Sequence, residues 1–309
     1  MKSYKQTNIA LGGEARLVIV SDKGDEYNLN ILKELWNQIY SFEKRFSRFL
    51  PYSELSTFNR NSGTKQFISP EFHDILAAAI KISYETKQLF NPFLLPAIQK
   101  AGYKKSFVAG TENDKHDDYS ERIVVGIDKL ELTKDWARIP FGTAIDLGGC
   151  GKGYLADQLA VWLIGKVEGF SVSLDGDIVC AGTDENNSNW SILIQNISKN
   201  NDDVIGEIIM PREISAVASS GIISKQGIIN GKKWHHIIDP ITLNPAETDV
   251  ELVTIMHKEC LYADVLASCS VILGSKKSVS FLRNQKIKDC LFQLINKKTI
   301  LSGKTIKLY

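Results

Sequence analysis

Apolar and polar positions divide the chain into strand-like and helix-like stretches with no internal repeat. Residues 8 to 20 alternate loosely and close on Leu17-Val18-Ile19-Val20, which predicts a strand. From Asn30 to Phe46, the side chains Leu32, Leu35, Trp36, Ile39, Phe42 and Phe46 recur at helical spacing and give one face to bury. Ser69-Pro70-Glu71 supplies a hydroxyl for an N-cap, a proline for the first helical position and an acid for the first turn. Phe72, Ile75, Leu76, Ala79 and Ile80 then carry a buried face as far as Leu89, and Phe90-Asn91-Pro92 must stop that helix. Strand-like runs follow at 170–174, 178–181, 190–195, 206–210 and 214–218, and a last helix opens at Ala263 and ends near Gly274. Strands and helices mixed along one chain without a linker predict a single α+β domain over residues 1–309.

Two stretches resist this pattern. Residues 46–60 are too polar, and too broken by Pro51, to form one element. There Arg45, Arg48 and Arg60 are interleaved with Phe46, Phe49, Tyr52 and Phe58, a mixture that suits a flat aromatic ligand or a packed loop under arginine stems. Residues 110–120, GTENDKHDDYS, are polar and acidic and predict a surface excursion with no site.

The chain is organised around TAIDLGGCGKGYLADQLA, residues 143–160. An apolar approach ending in Asp146 meets Gly148, Gly149, Gly151 and Gly153, with Lys152 among them, and then a helix whose buried face is Leu155, Leu159 and Trp162. A helix N-terminus behind glycines favours an anion, and Lys152 adds a positive charge, so a phosphate or pyrophosphate fits. The stretch is equally consistent with a tight turn that holds no ligand. It matches neither the Walker pattern, since Gly153 follows Lys152, nor the Rossmann spacing.

Composition changes the picture little. Of 309 residues, 43% are hydrophobic and 24% charged, as in a globular protein, and a net charge of +1 gives no global attraction to nucleic acid or an anionic membrane. Five cysteines without C-x-x-C spacing disfavour a disulfide framework and a zinc site. No signal peptide, lipobox or membrane-spanning run is apparent, so the expectation is cytoplasmic as written, and exported or membrane-anchored if a leader was removed. Near the C-terminus, His235 and His236 are adjacent, so in a strand they point to opposite faces. Asp264 and Ser268 are four apart on one helical face, where a carboxylate and a hydroxyl could hold a hard cation or the acid could serve the helix dipole.

Taken together, the motifs resemble those of the FAD:protein FMN transferases, the ApbE-like flavin transferases. SRFLPYSELSTFN resembles the family's early block, AIDLGGCGKGY its central D-L-G-G-x-x-K-G-Y, LDGDI its G-G-D-I turn and AVASSG its A-V-A-T-S-G strand. HIIDP matches the family signature and ADVLASCSVILG its A-D-A-L-A-T helix, so the blocks run in family order from about residue 8 to 274. The resemblance implies an ApbE-like fold of mixed, largely antiparallel sheets with packed helices. It also implies Mg²⁺-dependent transfer of the FMN half of FAD to a threonine of an acceptor protein, a flavin-dependent electron-transfer subunit, with release of AMP.

By the same resemblance, Asp146 and Lys152 contact FAD, while Phe49 and the Leu89-Phe90-Asn91 corner seat it. Leu11 closes the isoalloxazine side and Ile238 lies along the ligand. The Gly149 carbonyl, the Asp264 carboxylate and the Ser268 hydroxyl hold the metal, and Asp264 also counts as catalytic. His236 is the histidine tied to activity, and its ordinary pKa of about 6.5 suits a proton acceptor. The chain departs from the family in Asn91 for Asp, Ser268 for Thr, Ser219 for Thr and Asp175 for Gly. An FAD pyrophosphatase giving FMN and AMP, and a non-catalytic FAD-binding protein, are the competing expectations.

Overall fold

The computed structural model describes residues 1–105, 117–197, 203–229 and 231–309; residues 110–116 of the acidic run lie outside them. Two tight turns begin its largest sheet. Leu11 and Gly12, with φ of 57° and 82°, join Lys2–Ala10 (β1) to Gly13–Ser21 (β2). Asp175 and Gly176, with φ of 55° and 91°, join Gly169–Leu174 (β3) to Asp177–Ala181 (β4). Two-residue loops with both φ positive match the right-handed twist of paired strands, and Asp-Gly suits that conformation. Ser215–Gly221 (β5), Val250–His257 (β6), Cys290–Leu294 (β7) and Thr299–Ser302 (β8) extend the sheet. All eight strands are antiparallel to their neighbours and lie in chain order. The α+β, largely antiparallel architecture is therefore the expected one.

The helices are Asp25–Phe46 (α1), Glu54–Arg60 (α2), Pro70–Glu85 (α3), Leu95–Ala101 (α4), Gly151–Leu163 (α5) and Cys260–Asn284 (α6). Contacts divide the chain into two compact units built from separated segments. The first comprises Met1–Ser41, Lys152–Gly221 and Thr248–Tyr309; the second comprises Phe42–Gly151 and Ile222–Glu247. In the first unit, α6 packs on β5 and β6. A second core gathers Cys180, Ile194, Ile208, Met210, Val217, Leu291 and Ile306 beside the three-stranded sheet formed by residues 191–195, 204–209 and 306–308. The second unit holds α2, α3 and α4, a small three-stranded sheet, and the hairpin Gln226–Ile229 with Lys232–His235.

The sequence pattern and the structure differ at three element boundaries. Within residues 46–60, Ser53 accepts the Ser56 amide at 3.0 Å and starts α2, a cap hidden by the polar run around it. α3 stops at Glu85 because Lys87 and Gln88 take left-handed φ of 54° and 62°, and their amides close on Tyr84 and Ser83. α6 passes Gly274, where φ is 72°; beyond that break Asp249 receives the amide and hydroxyl of Ser275 at 2.8 and 2.5 Å and restarts the helix. By length and apolar content α6 is the one described helix that qualifies as a membrane span, although the sequence shows no uninterrupted apolar run. Its Cys260, Ala263, Val265, Ala267 and Val271 are buried inside the fold.

The predicted start of α3 forms as read. Ser69 accepts the Phe72 amide at 3.2 Å, and Glu71 pairs with Arg45, which also binds Glu54 at 2.8 Å. Removing an N-cap hydroxyl typically costs about 1 kcal/mol. Ser69→Ala is therefore expected to lower the urea midpoint with an unchanged denaturant slope, by about 1 kcal/mol or somewhat more because Arg45 and Glu54 share that hydroxyl.

Candidate active site

In the first unit, the site is set by how α5 meets α6. Gly153 and Asp157 share one face of α5, four residues apart. A Cβ on Gly153 would stand 2.8 Å from the Cys260 carbonyl oxygen and from Leu261 Cα, so only glycine lets the two helices close to this distance. The Asp157 carboxylate then accepts the amides of Cys260 and Leu261 at 2.7 and 2.9 Å. Glu259, at the N-cap of α6, makes no side-chain cap bond, so Asp157 caps α6 from another helix. This last glycine of the central stretch thus serves a helix contact.

That contact fixes Asp264 about one turn and Ser268 about two turns into α6. Asp264 is 7% exposed, and the Ser268 hydroxyl lies 3.1 Å from that of Ser220 on β5. Ser219, which replaces the family threonine, shares a 2.8 Å hydrogen bond with Thr254 on β6.

Lys152 lies among carboxylates. Its Nζ is 2.8 Å from Asp177 and 3.5 Å from Asp175, and Asp177 itself is 1% exposed. Burial would pull the lysine pKa down, but the charges of Asp177, Asp264 and Asp175 outweigh it and hold the pKa above its ordinary value, so the ammonium stays charged. Asp175 also joins the two turns of the sheet. Its amide donates to the Glu14 carbonyl at 2.8 Å, and its side chain fills the space over Gly13, where a Cβ would be 2.2 Å from Oδ1. The turn carrying Leu11 is thereby held beside the carboxylates around Lys152.

The second unit gathers the other residues. The Asp146 amide donates to the Pro92 carbonyl at 2.8 Å, and its carboxylate lies 3.5 Å from Arg48 Nε. Of the three arginines considered, Arg45 and Arg60 are engaged in ion pairs with Glu54, Glu71 and Asp117. Arg48 stacks on two rings, 4.2 Å from the centroid of Phe49 and 4.7 Å from that of Tyr103, while Arg45 lies 4.7 Å from the centroid of Phe46. Asn91 accepts the Phe93 amide at 3.0 Å and donates to the Val125 carbonyl at 2.8 Å. An ionised aspartate could not make that second bond, which gives the departure from the family residue a physical basis. Leu89 and Asn91 line a cleft of about 390 Å³ together with Lys87, Gln88, Val125 and Ile241. A side chain on Gly149 would touch the Phe90 ring at 3.5 Å, and Ile238 packs with Leu94 and Ala97.

The two histidines have different partners, His235 ending the strand Lys232–His235 and His236 lying just beyond it. His235 bonds the Ala246 carbonyl through Nε2 at 3.1 Å, and burial lowers its pKa. His236 presents Nδ1 to the Lys225 carbonyl at 3.3 Å and meets the Tyr103 ring edge-on, centroids 6.1 Å apart at 80°. A carbonyl can only accept, so the neutral ring carries its proton on Nδ1, and Nε2 is its basic nitrogen.

Among the described residues no group of three or more His, Cys, Asp or Glu side chains is arranged to hold a metal. The oxygen donors of Asp264 and Ser268 suit a hard cation that keeps places for water or phosphate. Asp177, Asp157 and Tyr103 were not singled out from sequence. The i, i+4 spacing of Gly153 and Asp157 and the place of Asp177 in LDGDI are local signals, whereas the partners of Tyr103 lie far away in the chain.

Burial pushes the Asp157 carboxyl up to about 6, while the Leu261 and Cys260 amides pull it the other way. In an unfolded chain the group titrates near 3.8, so between about pH 4 and 6 the native state holds the extra proton. This contribution to stability is full below that window and is lost as pH rises through 6. Asp157→Asn removes it while keeping a capping oxygen. From pH 4 to 7 the variant should gain on the order of 2 kcal/mol over the parent in urea unfolding; a difference that stays flat with pH would contradict the assignment.

The FAD:protein FMN transferase of Vibrio cholerae is 26% identical over 267 residues, covering 83% of this chain and 75% of that protein. The FAD:protein FMN transferase of Buchnera aphidicola is 24% identical over 309 residues, covering 94% and 86%. The crystal structure of the ApbE protein from Thermotoga maritima shares the fold with a TM-score of 0.84 at 23% identity, over 97% of both chains. Residues 11–292, which contain every motif discussed above, match the ApbE family, and the chain belongs to that family.

Proposed function

We propose that this protein is an FAD:protein FMN transferase that moves the FMN half of FAD onto a threonine hydroxyl of an acceptor protein and releases AMP. The observation that carries the reading is the environment of Lys152: a buried ammonium kept charged by Asp177, Asp264 and Asp175, in the unit that holds the Asp264–Ser268 oxygen pair. Three carboxyl groups against one ammonium leave an excess of negative charge that a divalent cation would offset. The names of the relatives support the same reading.

In this scheme Asp264 and Ser268 would hold Mg²⁺, which when bound would neutralise diphosphate charge. Lys152 adds its positive charge to the diphosphate, since phosphoryl transfer asks the protein mainly for positioning and charge stabilisation. Phe49, Leu89, Phe90, Asn91, Asp146 and Ile238, all in the second unit, seat the flavin nucleotide. His236 Nε2 takes the threonine proton as the new oxygen–phosphorus bond forms, and the electron pair of the broken diphosphate bond leaves on AMP.

The test is mass spectrometry after incubation with FAD and Mg²⁺, with and without an acceptor domain bearing a candidate threonine. The expected result is a gain of one FMN unit on the acceptor, abolished by EDTA and by Asp264→Ala. His236→Ala should slow transfer about 100-fold or more. FMN and AMP appearing with no labelled acceptor would make the protein a pyrophosphatase, and intact FAD under every condition would make it a binding protein.

A further inference from the structure

We infer that Tyr103 is a positioning residue that couples the nucleotide-seating carboxylate Asp146 to the proton acceptor His236 within the second unit. The inference rests on the roles proposed above for those two residues and adds a residue that has none there.

Tyr103 is fixed by its backbone before its ring makes any contact. It follows α4, where the amides of Gly102 and Tyr103 close on the Gln99 and Ile98 carbonyls at 3.1 Å each. Its own carbonyl accepts Arg48 Nη2 at 3.0 Å. The ring then meets four side chains from two other segments. Arg48 lies 4.7 Å from its centroid and Phe49 5.7 Å away at 53°, while Trp234 stacks at 6.5 Å and 23° and His236 stands edge-on at 6.1 Å and 80°.

Arg48 is the link to the nucleotide end. Its side chain is 5% exposed, and its charge faces Asp146 at 3.5 Å. A buried guanidinium held by a carboxylate, a carbonyl and two rings cannot swing into water when Asp146 takes a new partner. Displacement of Asp146 is passed through Arg48 to the Tyr103 ring. At the other end, the Lys225 carbonyl fixes one atom of the His236 ring, and the Tyr103 edge contact fixes its rotation about that bond. A rigid ring with two torsions transmits such a shift, whereas a flexible aliphatic side chain absorbs it. The shape of the ring carries the coupling, so phenylalanine should substitute for tyrosine and leucine should not.

The experiment uses the full chain with FAD as the probe and two readouts that need no acceptor. One is the FAD dissociation constant from flavin fluorescence. The other is the His236 ring proton resonance in NMR, identified by its loss in His236→Gln, with and without FAD. The parent should show a shift of that resonance on saturation with FAD. Tyr103→Phe should keep both values within about twofold, whereas Tyr103→Leu should weaken FAD at least fivefold and, at saturating FAD, lose the shift. Arg48→Gln breaks the chain at its other end; it should leave the resting resonance in place and lose the FAD-induced shift, which keeps the test decisive if the leucine variant does not fold.

A purely structural role predicts instead that Tyr103→Leu lowers the melting temperature while its folded fraction keeps the shift, and that outcome overturns the inference. So does loss of the shift in Tyr103→Phe, which would assign the effect to the hydroxyl, or a parent resonance insensitive to FAD. If the shift pattern holds but no acceptor is ever labelled, the coupling stands and the transferase reading fails.

Discussion

A buried ammonium can be kept in a protein only if carboxylates surround it, and much of the first unit follows from that constraint at Lys152. Burial by itself would pull the lysine pKa down, and the charges of Asp177, Asp264 and Asp175 together hold it above its ordinary value. Asp177 begins β4, Asp175 lies in the turn before it and Asp264 comes from α6, so sheet, turn and helix must be in register for the charge to survive. Removal of one partner would leave an uncompensated charge in a dry site, which is far more costly than the pair is stabilising.

The register is set mechanically. Gly153 lets α6 approach α5, Asp157 caps it there, and the Asp175 side chain seated over Gly13 ties the two sheet turns together. The glycine-rich stretch therefore has a divided role. Gly153 and Asp157 build the scaffold, while Lys152, between the glycines, provides the charge. An anion-binding helix start and a tight structural turn are both present in these residues.

In the second unit the corresponding constraint is a cation held by rings. Arg48 between Phe49 and Tyr103 neutralises Asp146, and the same tyrosine limits His236. Charge, stacking and a backbone carbonyl together leave the histidine one orientation and one tautomer. Asn91 shows the same economy, since each end of its amide closes a backbone group at the corner that Asp146 also joins through Pro92.

The sequence by itself determined the elements and the family. Apolar spacing marked α1 and α3, Ser69-Pro70-Glu71 marked the start of α3, and the order of six motifs named the relatives before any contact was known. Those signals are local, because helical and strand periods and caps act over a few residues. The cap of α2, the stop of α3 at two left-handed residues and the restart of α6 after Gly274 were hidden, since each depends on hydrogen bonds that polar composition does not reveal. Only the tertiary structure decided that Asp177 holds Lys152, that Asp157 caps a helix 103 positions away, and that Tyr103 touches both Arg48 and His236. Partners so distant in the chain leave no periodic trace, and folding must bring them together before the chemistry of each side chain has a meaning.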